Sequence, residues 1–283
     1  MYPRPIPESA PLQRQLYMAV LGLALLVWLL PLIAVTMTSF RSTQDIMSGN
    51  YWGWPVAPTF IGNYVQVFTQ TPMARFFANS LFITVPSVLL VLVLSTLNGF
   101  VLSRYQFRGA TLLFAVFVGG NFLPHQILMI PVRDLMVKAG LYDTFYALIL
   151  FHVAFQTGFA TLFMRNFIAS LPGELFDAAR AEGVSPTKVL WYVVVPLLRP
   201  ALAALAVLTF TFIWNDYFWA VVLTQSDSVK PVTAGLANLK GEWLSAWNVV
   251  AAATMIAAIP PVTMFFLMQR HFIAGLTAGA VKG

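Results

Sequence analysis

The chain has no cysteine in its 283 residues. Disulfides and thiolate metal sites are therefore excluded, and cysteine usage says nothing about the compartment. Charge is almost as scarce. Asp, Glu, Lys and Arg together make up 9% of the residues, where a soluble domain carries about 25%. No Gly-x-x-x-x-Gly-Lys-Ser/Thr phosphate loop occurs, so the chain has no ATPase site of its own. A Gly-x-Ser-x-Gly elbow, a His-Glu-x-x-His pair and paired catalytic acids are also missing, which sets an intramembrane enzyme aside and leaves no catalytic residue to name. The histidines have no ligand-type neighbours at metal spacing, so no metal site is expected. No 20–50-residue repeat and no low-complexity segment is visible.

What remains is mostly apolar. Hydrophobic residues make up 59% of the chain, and the mean hydropathy is +0.78. Six runs reach the roughly 20 apolar residues a membrane helix needs: Leu16–Thr38, Leu81–Leu102, Ala110–Ile130, Phe145–Met164, Ala201–Leu223 and Val249–Met268. The first is long enough to be a retained span, and the proline-rich stretch before it is too polar for a cleaved signal peptide. Each run contains a breaker or polar residue, among them Pro31, Pro86, Pro124, Gly158, Asn215 with Asp216, and Pro260 with Pro261. Such breaks are tolerated where protein, not lipid, surrounds them. The expected fold is an all-α integral membrane protein with six transmembrane helices.

The net charge of +6 reads as cytoplasmic loop charge. A cytoplasmic N-terminus puts Arg4, Arg14, Arg104, Arg108, Arg165, Arg180, Lys188, Arg199, Arg270 and Lys282 inside. It leaves Arg41, Arg75, Arg133, Lys138, Lys230 and Lys240 outside. Both termini and the loop 165–200 then face the cytoplasm. The expected parts are a tail over 1–15, a transmembrane domain over 16–273 and a second tail over 274–283. Tyr51, Trp52 and Trp54 in the first outer loop read as an interfacial aromatic belt.

The loop from Ser170 to Pro200 is the most structured polar segment. Pro172 suits a first helical turn, and Gly183 is placed to end that helix in a left-handed conformation. Ser185 and Pro186 then start a second helix, which Pro196 and Pro200 limit. Residues 178–185 look locally like the turn of a DNA-binding helix-turn-helix. Glu174, Asp177 and Glu182 would repel phosphate, however, and no third helix follows, so nucleic acid is not expected as a partner. The same acids disfavour adhesion to anionic lipid. Ala178 and Ala179 allow close approach, so a soluble protein partner fits the first helix best.

Asp177-Ala178-Ala179, Glu182-Gly183, Val195-Pro196 and Pro200 resemble the EAA loop of ATP-binding-cassette importer permeases. Ser39-Phe40-Arg41, Leu102-Ser103-Arg104-Tyr105, Trp214-Asn215-Asp216 and the ending Gly279-Ala280-Val281-Lys282-Gly283 resemble the carbohydrate-importing branch, in particular the six-helix second permease of the maltose-transporter type. Asp177 stands where that family usually has Glu, and Glu182 where Asp is common. The resemblance implies a permease of an ATP-driven, binding-protein-dependent importer for a carbohydrate or related polyol, in the bacterial inner membrane. It implies a heterodimer with a second permease subunit, two ATPase subunits that use ATP and Mg, and an extracytoplasmic substrate-binding protein. This chain binds no cofactor, and membrane lipid surrounds it. Coupling to the ATPases would fall to Glu174, Asp177, Ala178, Ala179, Glu182, Gly183 and Pro196, and the C-terminal tail would reach between the ATPase subunits.

Polar residues inside spans usually face the protein interior. Asn121, His125, Gln126, His152, Gln156, Asn215 and Asp216 are therefore the candidates for a substrate pathway, with Asn215-Asp216 foremost. The competing reading is a secondary transporter driven by an ion gradient, which would want paired intramembrane charges and inverted repeats.

Overall fold

A computed structural model describes residues 11–56, 58–242 and 246–280. Among them every regular element is helical. In chain order these are α1 (Pro11–Ser39), α2 (Thr43–Met47), α3 (Gly62–Gln70), α4 (Met73–Arg104), α5 (Ala110–Gly120), α6 (Met129–Lys138) and α7 (Phe145–Ala169). There follow α8 (Gly173–Ala181), α9 (Pro186–Val189), α10 (Val195–Leu197), α11 (Arg199–Trp214), α12 (Phe218–Leu223), α13 (Val232–Glu242) and α14 (Trp247–Ala280). A 3₁₀ turn at His125–Leu128 precedes α6, and a π turn at Leu190–Val194 joins α9 to α10. The residues fall into two compact units, one of Met1–Thr71 with Leu239–Ile256 and the other of Pro72–Asn238 with Ala257–Gly283.

The first unit holds α1, whose apolar side chains are exposed nearly all round, as expected of a helix solvated by lipid. Past its end the chain is tied down by polar groups. Asn63 Nδ2 donates to the carbonyls of Ser39 and Arg41, both at 2.8 Å, and Asn248 Nδ2 donates to Asn63 Oδ1 at 2.8 Å. The buried Arg41 donates to the carbonyls of Tyr51 and Gly53. Trp52 and Trp54 stand exposed on this loop.

In the second unit α4 and α7 pack along each other. Gly99 makes this possible: a Cβ there would lie 2.9 Å from the amide nitrogen of Arg165. Small residues at such crossings let membrane helices approach backbone to backbone. Gly158 does the same for α5, since a Cβ there would lie 2.8 Å from the Phe117 carbonyl oxygen. Trp214 is buried, stacks on Phe210 and donates through Nε1 to the Ala257 carbonyl at 3.0 Å.

Among the described residues four helices are long and apolar enough to cross a membrane, and six spans result if each of two bent pairs counts as one. The third expected run is not straight. Ala110–Gly120 and His125–Lys138 are bent by 96°, because Gly119 and Gly120 weaken the helix and Pro124 cannot continue it. The fifth run breaks once, where the helix expected to run on to Leu223 stops at Trp214 before restarting as α12; just ahead of that run, Pro186–Leu197 and Arg199–Trp214 meet at 76°. The hairpin's second helix ends at Leu197, between Pro196 and Pro200, as the sequence suggests. Pro196 has no N–H to bond to the Tyr192 carbonyl, and a π turn over Leu190–Val194 leads into α10.

Candidate functional site

The polar loop folds as the sequence suggests at its first helix. Pro172 precedes α8 with extended ψ, and Gly183 ends it at φ +68. Three backbone bonds close that end: Glu182 N–H to Ala178 O at 3.0 Å, Gly183 N–H to Arg180 O at 3.1 Å, and Val184 N–H to Ala179 O at 2.9 Å. The last two form the Schellman pattern, in which a left-handed residue lets the chain fold back over its own last turn. Ala179 and Val184 then pack together against the cluster built on Met164, Ile168, Val189 and Leu198. Ser185 stands at the next N-cap with Pro186 behind it, but its hydroxyl makes no capping bond.

α8 shows two faces. Phe176 and Ala179 turn inward, while Glu174, Leu175, Asp177, Ala178, Arg180 and Glu182 are exposed. A hollow of about 480 Å³ on its outer side is lined by Glu174, Leu175, Ala178, Ala179 and Glu182, with Pro172, Val184 and Val193. Two carboxylates thus border a floor of small and apolar groups. Of the residues expected to meet an ATPase, these four, Glu174, Ala178, Ala179 and Glu182, are brought together. Asp177 points away from them. Its carboxylate lies 3.7 Å from Arg180 Nη1 and borders a second hollow of about 510 Å³, which Gly183 and Arg104 also line. Pro196 is half-buried beyond both hollows.

Arg104 holds the hairpin to the rest of the second unit, a role sequence reasoning missed. Its Nη2 donates to the carbonyl of Ile168 in the last turn of α7 at 2.5 Å and to that of Leu171 just beyond it at 3.0 Å. Its guanidinium lies 3.7 Å from the centroid of the Phe176 ring. The sequence marked Arg104 as orientation charge and as part of the Leu102-Ser103-Arg104-Tyr105 resemblance, and neither signal says what it holds.

The intramembrane candidates divide in a similar way. Asn121, His125, His152, Gln156 and Asp216 line one interior hollow of about 570 Å³, together with Phe151, Phe155, Phe159, Phe212 and Trp219. Gln126 and Asn215 do not line it; both are exposed. The hollow exists because of the two breaks: the bend after Gly120 turns Asn121 and His125 towards α7, and the break after Trp214 turns Asp216 inward. Asp216 is fixed by accepting the N–H groups of Trp219 at 3.1 Å and Ala220 at 3.2 Å, and its carboxylate lies 3.8 Å from His152 Nε2. Phe151 stacks on Trp219 at 3.8 Å between centroids. Outside the membrane-spanning part, Asp143 accepts the amides of Gln225 at 2.7 Å and Ser226 at 3.0 Å. Burial raises its pKa, but these two bonds together with the Ser226 hydroxyl and the charge of Lys230 outweigh that and hold it below the ordinary carboxylate value.

Fold and site together define a multi-pass helical membrane transport subunit with one polar hairpin and one polar-aromatic interior hollow. The chain belongs to the binding-protein-dependent transport system inner membrane components, whose family model matches residues 76–277. It is 34% identical over 273 residues to the osmoprotective compounds uptake permease protein GgtD of Synechocystis sp., covering 94% of this chain and 91% of that protein. It is 32% identical to the arabinooligosaccharides transport system permease protein AraQ of Halalkalibacterium halodurans, covering 89% of this chain and 91% of that one. It is 31% identical to the melibiose/raffinose/stachyose import permease protein MelC of Bacillus subtilis, covering 90% and 91%. Among solved structures, a chain of a bacterial ABC transporter involved in importing the acidic polysaccharide alginate aligns with a TM-score of 0.79 at 25% identity, covering 95% of this chain and all of that one.

Proposed function

We propose that this permease imports a carbohydrate or related polyol, and that the hairpin around α8 is its contact with a partner ATPase. The observation that carries the reading is the outer hollow of α8: Glu174 and Glu182 flank Ala178 and Ala179 on a helix whose end is locked by Gly183. Small residues admit a close partner surface, and the two acids offer charge to Arg or Lys on it. Two ATPase subunits using ATP and Mg, a second permease subunit forming a heterodimer, and an extracytoplasmic binding protein complete the transporter. No cofactor is bound by this chain. Both termini lie in the cytoplasm, and the tail from residue 274 reaches between the ATPases; residues 281–283 and the side chains before them are outside the described structure. ATPase closure moves the hairpin, and through Arg104 and the α4–α7 packing it shifts the membrane helices between two arrangements. The sugar-importing relatives and the polar-aromatic lining of the interior hollow support carbohydrate as the substrate class and the hollow as part of the path.

The absence of cysteine makes a direct test simple. A single cysteine in place of Ala178, labelled with a benzophenone maleimide, should photo-crosslink to the ATPase subunit in the assembled transporter. The same label at Trp54 should not. Equal crosslinking from both positions, or none from Ala178, would remove the hairpin from the interface.

A further inference from the structure

The interior hollow has an uneven charge. Aromatic faces from Phe155, Phe159 and Phe212 line it, and its hydrogen-bonding groups include Asn121, Gln156 and Asp216. No Lys or Arg is among its lining residues, and Asp216 is the one carboxylate there. Four basic side chains of this unit are engaged elsewhere. Arg104 holds the hairpin, Arg165 lies 4.4 Å from the Phe114 ring, Arg133 lies 5.0 Å from the Tyr142 ring, and Lys230 is 2.8 Å from Asp227. Asp216 itself is anchored by two backbone N–H groups, so it cannot swing out of the way without breaking them.

We infer that this hollow is a subsite for an uncharged saccharide or polyol and that Asp216 excludes acidic sugars from it. The inference rests on reading the hollow as part of the substrate path. Ring faces of an uncharged sugar lie well on Phe155, Phe159 and Phe212, while its hydroxyls donate to Asp216 and exchange hydrogen bonds with Asn121 and Gln156. A uronate or sugar phosphate brings a second negative charge beside Asp216, where the lining holds the imidazoles of His125 and His152 but no Lys or Arg to neutralise it. Two like charges ~6 Å apart at an effective dielectric constant of about 20 weaken binding on the order of 100-fold.

The test uses the complete transporter, without its binding protein, in lipid nanodiscs. Calorimetric titration compares maltose, trehalose and sorbitol with digalacturonate and glycerol 3-phosphate. At least one neutral probe should bind, and every acidic probe should bind about 100-fold more weakly or not at all. Asp216→Asn should narrow that gap to less than about tenfold. Because Asp216 also fixes α12, Gln156→Lys serves as the second variant: it leaves Asp216 in place, supplies a cation, and should admit digalacturonate. Phe212→Ala should weaken the neutral probe in proportion to the stacking it loses. Acidic probes that bind as well as neutral ones while Phe212→Ala still weakens binding would overturn the charge selection but keep the subsite. Binding that ignores Phe212→Ala, or no binding by any neutral probe, would remove the subsite itself.

Discussion

Replacing Arg104 tests whether the hairpin moves the membrane helices as a rigid lever. The side chain donates twice to carbonyls at the end of α7 and covers the Phe176 ring of α8, so it touches both parts that must move together. Hydrogen bonds from a charged donor contribute about 1.5–3 kcal/mol each, and a cation over an aromatic face about 0.5–2 kcal/mol. The residue is only half-buried and the three contacts share one group. A local cost of about 2–4 kcal/mol for Arg104→Ala is therefore the sensible sum. Amide exchange in residues 173–184 should then speed up by roughly 30- to 1,000-fold, with helices α4 and α7 unaffected away from their ends. In proteoliposomes the ATPase rate should persist while substrate moved per ATP falls. Arg104→Lys keeps the charge but loses the planar face, so it should recover less than half of the coupling. Unchanged exchange in residues 173–184 together with an unchanged transport-to-hydrolysis ratio would refute the lever.

Other substitutions probe the same structure from different sides. Gly183→Pro cannot adopt φ +68 and deletes the N–H that bonds Arg180 O; uptake should be lost while the amount in the membrane, measured by immunoblot, stays normal. Asp177→Arg removes an exposed pair with Arg180 and the attraction of Asp177 for Arg104, so the melting temperature should fall only slightly while uptake uncouples from hydrolysis; wild-type uptake would sink that expectation. Gly99→Leu forces a side chain into a space 2.9 Å from the Arg165 backbone, and at about 1–3 kcal/mol or more of overpacking it should lower the detergent melting temperature and the yield of assembled complex. The pKa of Asp143 is depressed in the folded state, so its stabilisation is present above the unfolded value of about 3.9 and is lost as pH falls through the lower folded value. Amide exchange in residues 223–230 should accelerate below about pH 4 in the wild type, and Asp143→Asn should exchange fast without that pH step.

Much of the architecture was legible because lipid as a solvent acts on local composition. A run of apolar residues long enough to cross, as in α1 or α4, states its own fate. The hairpin's first helix was legible for a related reason. A Schellman end is decided within six consecutive residues, and Gly183 supplies the left-handed conformation it needs. The consequences of proline and glycine inside spans were less legible. Pro124 and Pro196 both remove an N–H; the first accompanies a bend of 96°, and the second stands between a π turn and a bend of 76°. The residue types mark where the chain breaks, but not the angle it takes.

The composition, the spans, the acidic and small-residue character of α8 and the turn at Gly183 were thus set by the sequence itself, since each depends on residues within a few positions of one another. Which side chains share a site was decided only by the tertiary structure. Asn215 and Asp216 are neighbours with equal claim on the interior, but the break after Trp214 turns Asp216 into the hollow and leaves Asn215 exposed. Glu174 and Glu182 meet across one face of α8 while Asp177 faces Arg180. Arg104, one basic residue among many after a span, becomes the joint between hairpin and helices because the ends of α4 and α7 converge on it. The physical reason is that local chemistry fixes how the backbone turns, but what each side chain finally faces depends on which distant elements come to lie beside it, as at the close approaches of Gly99 to Arg165 and of Gly158 to Phe117.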